Sequence, residues 1–396
     1  TWQRFILGSA LLACCADAGS ARDYRHYFQM YGHHDIHRQM LQDRSRTEAY
    51  AAALAKEPEV VRGKTVLDFG CGTGILSVFA AKAGAERVIC VEGGPMAQVA
   101  EKIMEQNGVS QRVRVLRTTH KDLQLPGKVD VLVSEWMGFW MLTEDMLVDL
   151  LEVRDRWLKV GGVVWPRYTQ LWMQPYSDPE WWSDNVEYWG SKPYGVDMSP
   201  MTQYAFGDPD LWPVPVRGQW RPSGLVGQPH LVSEWDLRIK RLHKSTKVIS
   251  RFQQSMDKGV VHGVLFWFDV IFDHPLENVT LSTHPAAGVQ HWGQIFWPLR
   301  GAPLRTDRAL DFQGSVRVEH TAPMWNFTIM WKAPPVVKRF VTTTTDPVGA
   351  DSFTVMDSWT TEKSLEAFLA LHGDVGDGGG GGSVGAAPAA AALDEL

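Results

Sequence analysis

Cysteine is scarce in this 396-residue chain: Cys14, Cys15, Cys71 and Cys90 are the whole complement. So few, at no metal-ligand spacing, exclude a disulfide framework and a zinc motif, and make a reducing, cytoplasmic or nuclear setting the simpler expectation. No apolar run is long enough to cross a membrane as a helix. A basic excess is missing too. The formal net charge is −6, which argues against direct nucleic-acid contact and suits a basic partner. There are no internal repeats. Two terminal features point toward secretion instead. "FILGSALLACCADAGSA" resembles a signal-peptide core followed by small residues, and the closing "LDEL" lacks the leading basic residue of a retention signal. Residues 1–20 are therefore set apart as either a leader or a fragment end.

What is present describes a globular protein. Hydrophobic residues make up 44% and charged residues 21%, enough for a sizeable core and two domains. The 18 tryptophans are expected mostly in core or interface packing. From Asp23 to Lys56 the pattern is helical, with Tyr27 and Tyr31 four apart on one face. "KTVLDFGCGTGILSVFAAKAGAERVICVE" then reads strand, glycine turn, helix, strand. The apolar run at 65–69 does not alternate, as expected of a parallel strand covered on both sides. "VDVLVSE" is another such strand, and "MLVDLLEVRDRWLKVGG" predicts a helix ending at the glycine pair. This alternation predicts an α/β, Rossmann-like, doubly wound domain over 21–165.

At Trp165-Pro166 the texture changes to short strands separated by Pro, Gly and Asn. A β-barrel-like domain is expected over 166–372. The Trp-, Pro- and Tyr-rich insertion at about 178–212 has apolar side chains poorly placed for either core, and is expected to be a docking arm. The tail 373–396 is of low complexity.

Gly70, Gly72 and Gly74 follow a strand and open a helix. Glycine is needed where backbone must bend sharply and approach a ligand. Glu92 ends the next strand, where an acid can accept hydrogen bonds from both ribose hydroxyls. The third glycine comes one position early for the dinucleotide pattern. Asp68, just before the turn, would repel a pyrophosphate but tolerate the cationic sulfonium and amino groups of S-adenosylmethionine. That cofactor is the expected ligand; a plain strand-turn-helix is the alternative.

"SEWMGFWMLTE" places Glu135 at the carboxyl edge of the sheet and Glu144 nine positions later, with Gly138 allowing the chain to turn back. Two buried acids close together raise one another's pKa unless a cation lies between them. A guanidinium is such a cation, since its donors form a fork that fits carboxylates. Trp136, Phe139 and Trp140 are expected to exclude water. The bland alternative makes Glu144 an N-terminal helix acid and Glu135 a surface residue.

With these motifs the chain resembles the protein arginine N-methyltransferases. "VLDFGCGTGILSVFAAKAGA" is similar to their cofactor motif, "SEWMGFWMLTE" to their double-glutamate loop, and "STHPAAGVQHWGQ" to their threonine-histidine-tryptophan loop. "YFQMY" at 27–31 and "YGVDMS" at 194–199 fit the N-terminal motif and the dimerisation arm. The resemblance covers roughly 22–300. It implies a homodimer acting on arginine-containing protein segments, arginine/glycine-rich regions and histone tails among them, with no metal. It implies that Glu135 and Glu144 hold the substrate guanidinium, while His291, paired with Asp43, disposes of the proton. His37, Arg46, Tyr31, Asp68, Gly70, Gly72 and Glu92 would serve the cofactor, Arg46 by clamping the methionyl carboxylate. Tyr27, Met40 and Trp292 would line the acceptor side. Tyr31 and Met40 match the type I subgroup, which forms mono- and asymmetric dimethylarginine.

Alternatives stay open for several residues. A histidine beside tryptophan suits a packed core, Asp43 suits a solvated helix carboxylate, and Cys71 suits a small filler. Lys121 stands where the family has an acid for the adenine amino group, with Asp122 following. Gln290 replaces a threonine, and His34-Asp35 replaces an aromatic-glycine pair. A small-molecule methyltransferase and a catalytically silent dimeric scaffold are the rival functions.

Overall fold

The computed structural model describes residues 27–28, 31–56, 58–144, 146–205, 215–242, 246–256, 259–299, 303–306, 310–321, 324–332 and 354–360. Residues 1–20, expected as a leader or a fragment end, the tail at 373–396 and the end of the expected arm at 206–212 lie outside them.

The uninterrupted apolar runs become β1 (Thr65–Phe69), β2 (Arg87–Glu92), β3 (Val113–Arg117), β4 (Val129–Val133) and β5 (Leu158–Trp165). They pair in parallel in the order β3-β2-β1-β4-β5. Helices Ile75–Lys82, Met96–Gln106 and Met146–Trp157 connect strands. The chain leaves β1 toward β2 and returns to β4 on its other side, so a crevice opens above the carboxyl ends of β1 and β4. Gly70 and Ser134 stand there. Helix Arg44–Lys56 leans on this edge: the Tyr50 hydroxyl donates to Ser134 O at 2.9 Å. The helix expected to run to the glycine pair stops at Trp157, and Gly161 and Gly162 lie inside β5. An added Cβ on Gly162 would come within 2.9 Å of Asp130 O, so the close pairing of β5 with β4 demands glycine here.

An antiparallel β-rich part follows, barrel-like in its sheets. β6 (Tyr168–Tyr176), β7 (Val216–Gly218), β8 (His230–Asp236), β11 (Gly263–Phe272) and β13 (Gln294–Pro298) run in the order β7-β13-β11-β6-β8, with β12 (Val279–Ser282) on β11. β9 (Lys247–Met256), β15 (Leu310–Thr321), β16 (Met324–Lys332) and β17 (Thr354–Thr360) form a second sheet, and β10 (Gly259–Val261) pairs with β14 (Leu304–Thr306). Tryptophan goes chiefly to the core. Trp140, expected to dry the acid pocket, instead stacks on Phe327 of the second sheet at 4.1 Å and meets Trp297 edge-on at 5.4 Å. It pins the double-glutamate loop to the barrel core.

The arm departs from expectation at its base. Trp181 and Trp182, on helix Pro179–Asn185, are buried with Tyr176, Leu265 and Phe296. Beyond them apolar residues are left in solvent: Tyr194 is fully exposed, Val196 more than half so, and Tyr188 and Tyr204 nearly half. Among the described residues no helix is long and apolar enough to cross a membrane.

Candidate active site

A cavity of about 1520 Å³, counting its open mouth, occupies the crevice. Its wall includes the glycine turn, Glu92, Thr118 to His120, Glu135, Glu144, Met146 and Asp149, and the N-terminal Tyr27, Tyr31, His37, Met40 and Arg46.

On one side the backbone forms a cradle. Gly72 has φ 53°, and an added Cβ there would stand 3.1 Å from the His37 ring. Its N–H donates to Glu92 Oε2 at 2.9 Å, and Gly94 N–H donates to Oε1 at 2.6 Å. The Glu92 carboxylate is thereby fixed in the wall with acceptor capacity remaining on both oxygens. His37 is held by Tyr31 O, 2.6 Å from its Nε2, and burial pushes its pKa down. Asp68 does not line the cavity. It lies beneath the turn, accepting from Ser77 Oγ at 2.7 Å, and burial raises its carboxyl to about 7. Its place is that of a strut, a correction to the cofactor contact expected of it. Lys121 is exposed and outside the wall. Cys71 is no mere filler: it is disulfide-bonded to Cys90 of β2, with Cα atoms 5.6 Å apart. That ties the turn to its neighbouring strand, a pairing that the scarcity of cysteine gave no reason to expect.

On the other side stand the two glutamates. Gly138 lets the loop fold back, since its N–H donates to Met141 O at 3.1 Å and an added Cβ would strike Glu144 Cγ at 2.7 Å. Glu135 accepts from Arg46 Nε at 3.0 Å and Nη2 at 2.8 Å, with both side chains nearly solvent-free. Glu144 accepts from the Tyr31 hydroxyl at 2.7 Å. Burial lifts the Glu144 carboxyl to about 7, against the pull of Tyr31, Tyr27 and Arg217. Burial and Glu144 push both tyrosines well above their usual range, so they remain neutral donors.

Asp43 joins two structures. Oδ1 accepts from Arg46 N at 3.0 Å, closing the first turn of helix Arg44–Lys56. Oδ2 accepts from His291 N at 2.9 Å and lies 2.7 Å from His291 Nδ1. Burial alone would raise Asp43, but these hydrogen bonds outweigh it and hold the group below its ordinary value. Asp43 is thus an acceptor, so Nδ1 carries the imidazole proton and Nε2 keeps its lone pair. Burial lowers the His291 pKa, opposed by Asp43. The imidazole is neutral at pH 7 and able to take up a proton. Trp292 is buried behind it, donating from Nε1 to Met137 O at 2.8 Å.

Three residues of this site went unnoticed in the sequence. Arg217 of β7 lies over the Phe139 ring at 3.7 Å, donates to the carbonyls of His291 and Trp292, and lines a side pocket with Glu135, Glu144, Tyr31 and Met40. Burial drops its pKa to about 10, opposed by Glu144. No motif marks it. His120 and Asp149 line the far wall; the oddity at Lys121 was the nearest signal.

The site therefore joins a nucleoside-shaped cradle to a paired-acid pocket suited to a guanidinium. A family model described as "Arginine methyltransferase oligomerization subdomain" matches residues 167–323, and one described as "Ribosomal protein L11 methyltransferase (PrmA)" matches 48–164. "Probable protein arginine N-methyltransferase 6" of Arabidopsis thaliana is 38% identical over 65% of this chain, which spans 59% of that relative. "Probable protein arginine N-methyltransferase 6.1" of Oryza sativa subsp. indica is 33% identical over 78% of this chain and 87% of its own length. The solved "Trypanosoma brucei PRMT1 enzyme-prozyme heterotetrameric complex with AdoHcy" superposes with TM-score 0.71 at 26% identity, over 83% of this chain and 99% of its own. The chain belongs to the protein arginine N-methyltransferase family.

Proposed function

We propose that this protein transfers a methyl group from S-adenosylmethionine to a guanidino nitrogen of arginine residues in proteins, forming mono- and asymmetric dimethylarginine. The carrying observation is that Glu135 and Glu144 share one cavity wall beside the Gly72–Glu92 cradle.

The residues present fit the cofactor. Gly70 and Gly72 let the turn pack where a Cβ would strike the Met146 methyl and crowd the His37 ring, Glu92 suits a ribose diol, and Arg46 lines the cavity where a carboxylate could reach it. When bound, it supplies an electrophilic methyl on a cationic sulfur. The protein supplies placement. Glu135 and Glu144 grip different edges of the entering guanidinium and draw its positive charge to the nitrogens they touch. The target nitrogen thereby regains lone-pair character, and the two acids would turn it toward the side of the cavity where the cofactor would lie. Their field acts in a dry pocket, where preorganised charge is worth several kcal/mol. His291, oriented by Asp43, accepts the released proton at Nε2. Met40 and Tyr31 crowd the acceptor side. The substrates are cationic arginine/glycine-rich segments and histone tails, in keeping with the net charge of −6 and the acidic pocket. The exposed arm, with Tyr194 and Val196, supports a homodimer, and the cytoplasm or nucleus is the place of action.

Glu144→Gln is the test. Methylation of an arginine/glycine-rich peptide, read by mass spectrometry, should fall about a thousandfold. S-adenosylhomocysteine should still raise the melting temperature as it does in wild type. Turnover near the wild-type rate would refute the assignment.

A further inference from the structure

The sheet order acts as a ruler along the cavity. From the substrate acid inward, the wall passes Glu135 after β4, the glycine turn after β1, Glu92 at the end of β2, and Thr118 to His120 after β3. Neighbouring strands are about 4.8 Å apart. A nucleoside whose sugar sits at Glu92 with its sulfur toward Glu135 must therefore point its base toward the β3 loop and the helix behind it. That loop is anchored to the cradle, since Thr118 N–H donates to Glu92 O at 3.1 Å.

Two buried polar groups meet there. Asp149, on helix Met146–Trp157, is 7% exposed, and His120 is 4% exposed. His120 Nδ1 lies 3.4 Å from Asp149 Oδ2, and Nε2 lies 3.6 Å from Glu152 Oε2 one turn along the same helix. Arg156 holds the loop from behind, donating to His120 O at 3.0 Å and Leu123 O at 3.1 Å. A carboxylate is rarely sunk in a cavity wall without a partner. Asp149 has His120 as such a partner and also lines the cavity at the end where the base would lie.

We infer that Asp149 accepts the exocyclic amino group of the cofactor's purine, with His120 as the positioning residue that fixes the carboxylate. The inference rests on the cofactor reading above. It answers the oddity at Lys121: the acid expected in the loop is supplied by the facing helix. It also makes the base site selective, because a purine carrying a carbonyl at that position would set oxygen against oxygen.

Isothermal titration with S-adenosylhomocysteine and with S-inosylhomocysteine, which differ in that one group, tests this without turnover. Wild type should bind the adenosyl compound at least about tenfold tighter, the effect of one unsatisfied buried acceptor. Asp149→Asn, whose amide can present either oxygen or nitrogen, should bring the ratio close to one. His120→Ala should weaken the adenosyl compound severalfold and lower the ratio, because Asp149 is no longer held; a merely structural role would weaken both compounds alike. Equal binding of the two by wild type overturns the inference, whatever the variants do, as does an unchanged ratio in Asp149→Asn. Failure of wild type to bind either compound overturns the cofactor reading, and this inference with it.

Discussion

Glu135 and Glu144 are the same residue type in one wall, yet their surroundings differ. Glu135 faces a forked guanidinium, Arg46, at 2.8 Å. Glu144 faces neutral phenols, with Arg217 acting on it as the nearby cation, and its carboxyl rises to about 7. One acid is balanced by a buried charge, the other largely by hydrogen bonds. The pocket is thus half-neutralised before a substrate enters, and Glu144 is the acid whose protonation can vary near neutral pH.

The largest break in that comparison comes from removing Arg46. Arg46→Ala leaves Glu135 buried and uncompensated, which costs about 3–5 kcal/mol. Urea unfolding at pH 7.5 should show that loss with an unchanged m-value. Glu144→Gln removes no ion pair and stands in for the protonated acid, so at pH 7.5 it should cost nothing and instead raise stability. Equal losses in the two variants would erase the distinction between the acids.

Acidity sharpens it next. The proposed grip on a guanidinium needs the ionised form of Glu144, so kcat/KM should fall below pH about 7, approaching tenfold per unit. Tyr31→Phe removes a hydrogen bond that favours the ionised form, so the acid limb should move to higher pH. Stability runs the opposite way. The folded pKa is raised from 4.5 to about 7, so protonated Glu144 favours the fold at low pH, and that stability is lost as pH climbs from about 4.5 through 7. Glu144→Gln should flatten this part of the curve.

Much of the frame was legible because it follows from burial alone. The short apolar runs at 65–69 and 129–133 fit strands covered on both sides, and two glutamates among aromatics require a partner. What escaped depends on register and docking. Arg217 reaches the site because Arg217 pairs with Ile295 in the β7–β13 ladder, close in chain to His291. Trp140 looked like a pocket wall and is a core anchor, since both Trp140 and Met141 take positive φ and turn the loop toward the barrel. The Cys71–Cys90 bridge follows from the parallel pairing of Asp68 with Cys90, invisible to a count of four cysteines. Helix Met146–Trp157 ended early because glycine served strand pairing, and periodicity cannot separate that use from a helix stop.

The smallest effect tests Arg217. Its charge pulls Glu144 toward the ionised form, and its stacking on Phe139 is worth about 0.5–2 kcal/mol. Arg217→Gln removes the charge, so the acid limb of kcat/KM should rise by less than a full pH unit, with the rate at pH 8.5 reduced only a fewfold. Arg217→Lys keeps the charge and loses the fork that holds the His291 and Trp292 carbonyls. Its limb should stay in place while its rate falls like that of the glutamine variant. That split separates field from scaffolding: a limb that moves equally in both variants would mean Glu144 responds to the shape of the loop, and the difference between the two acids would then lie in packing rather than in charge.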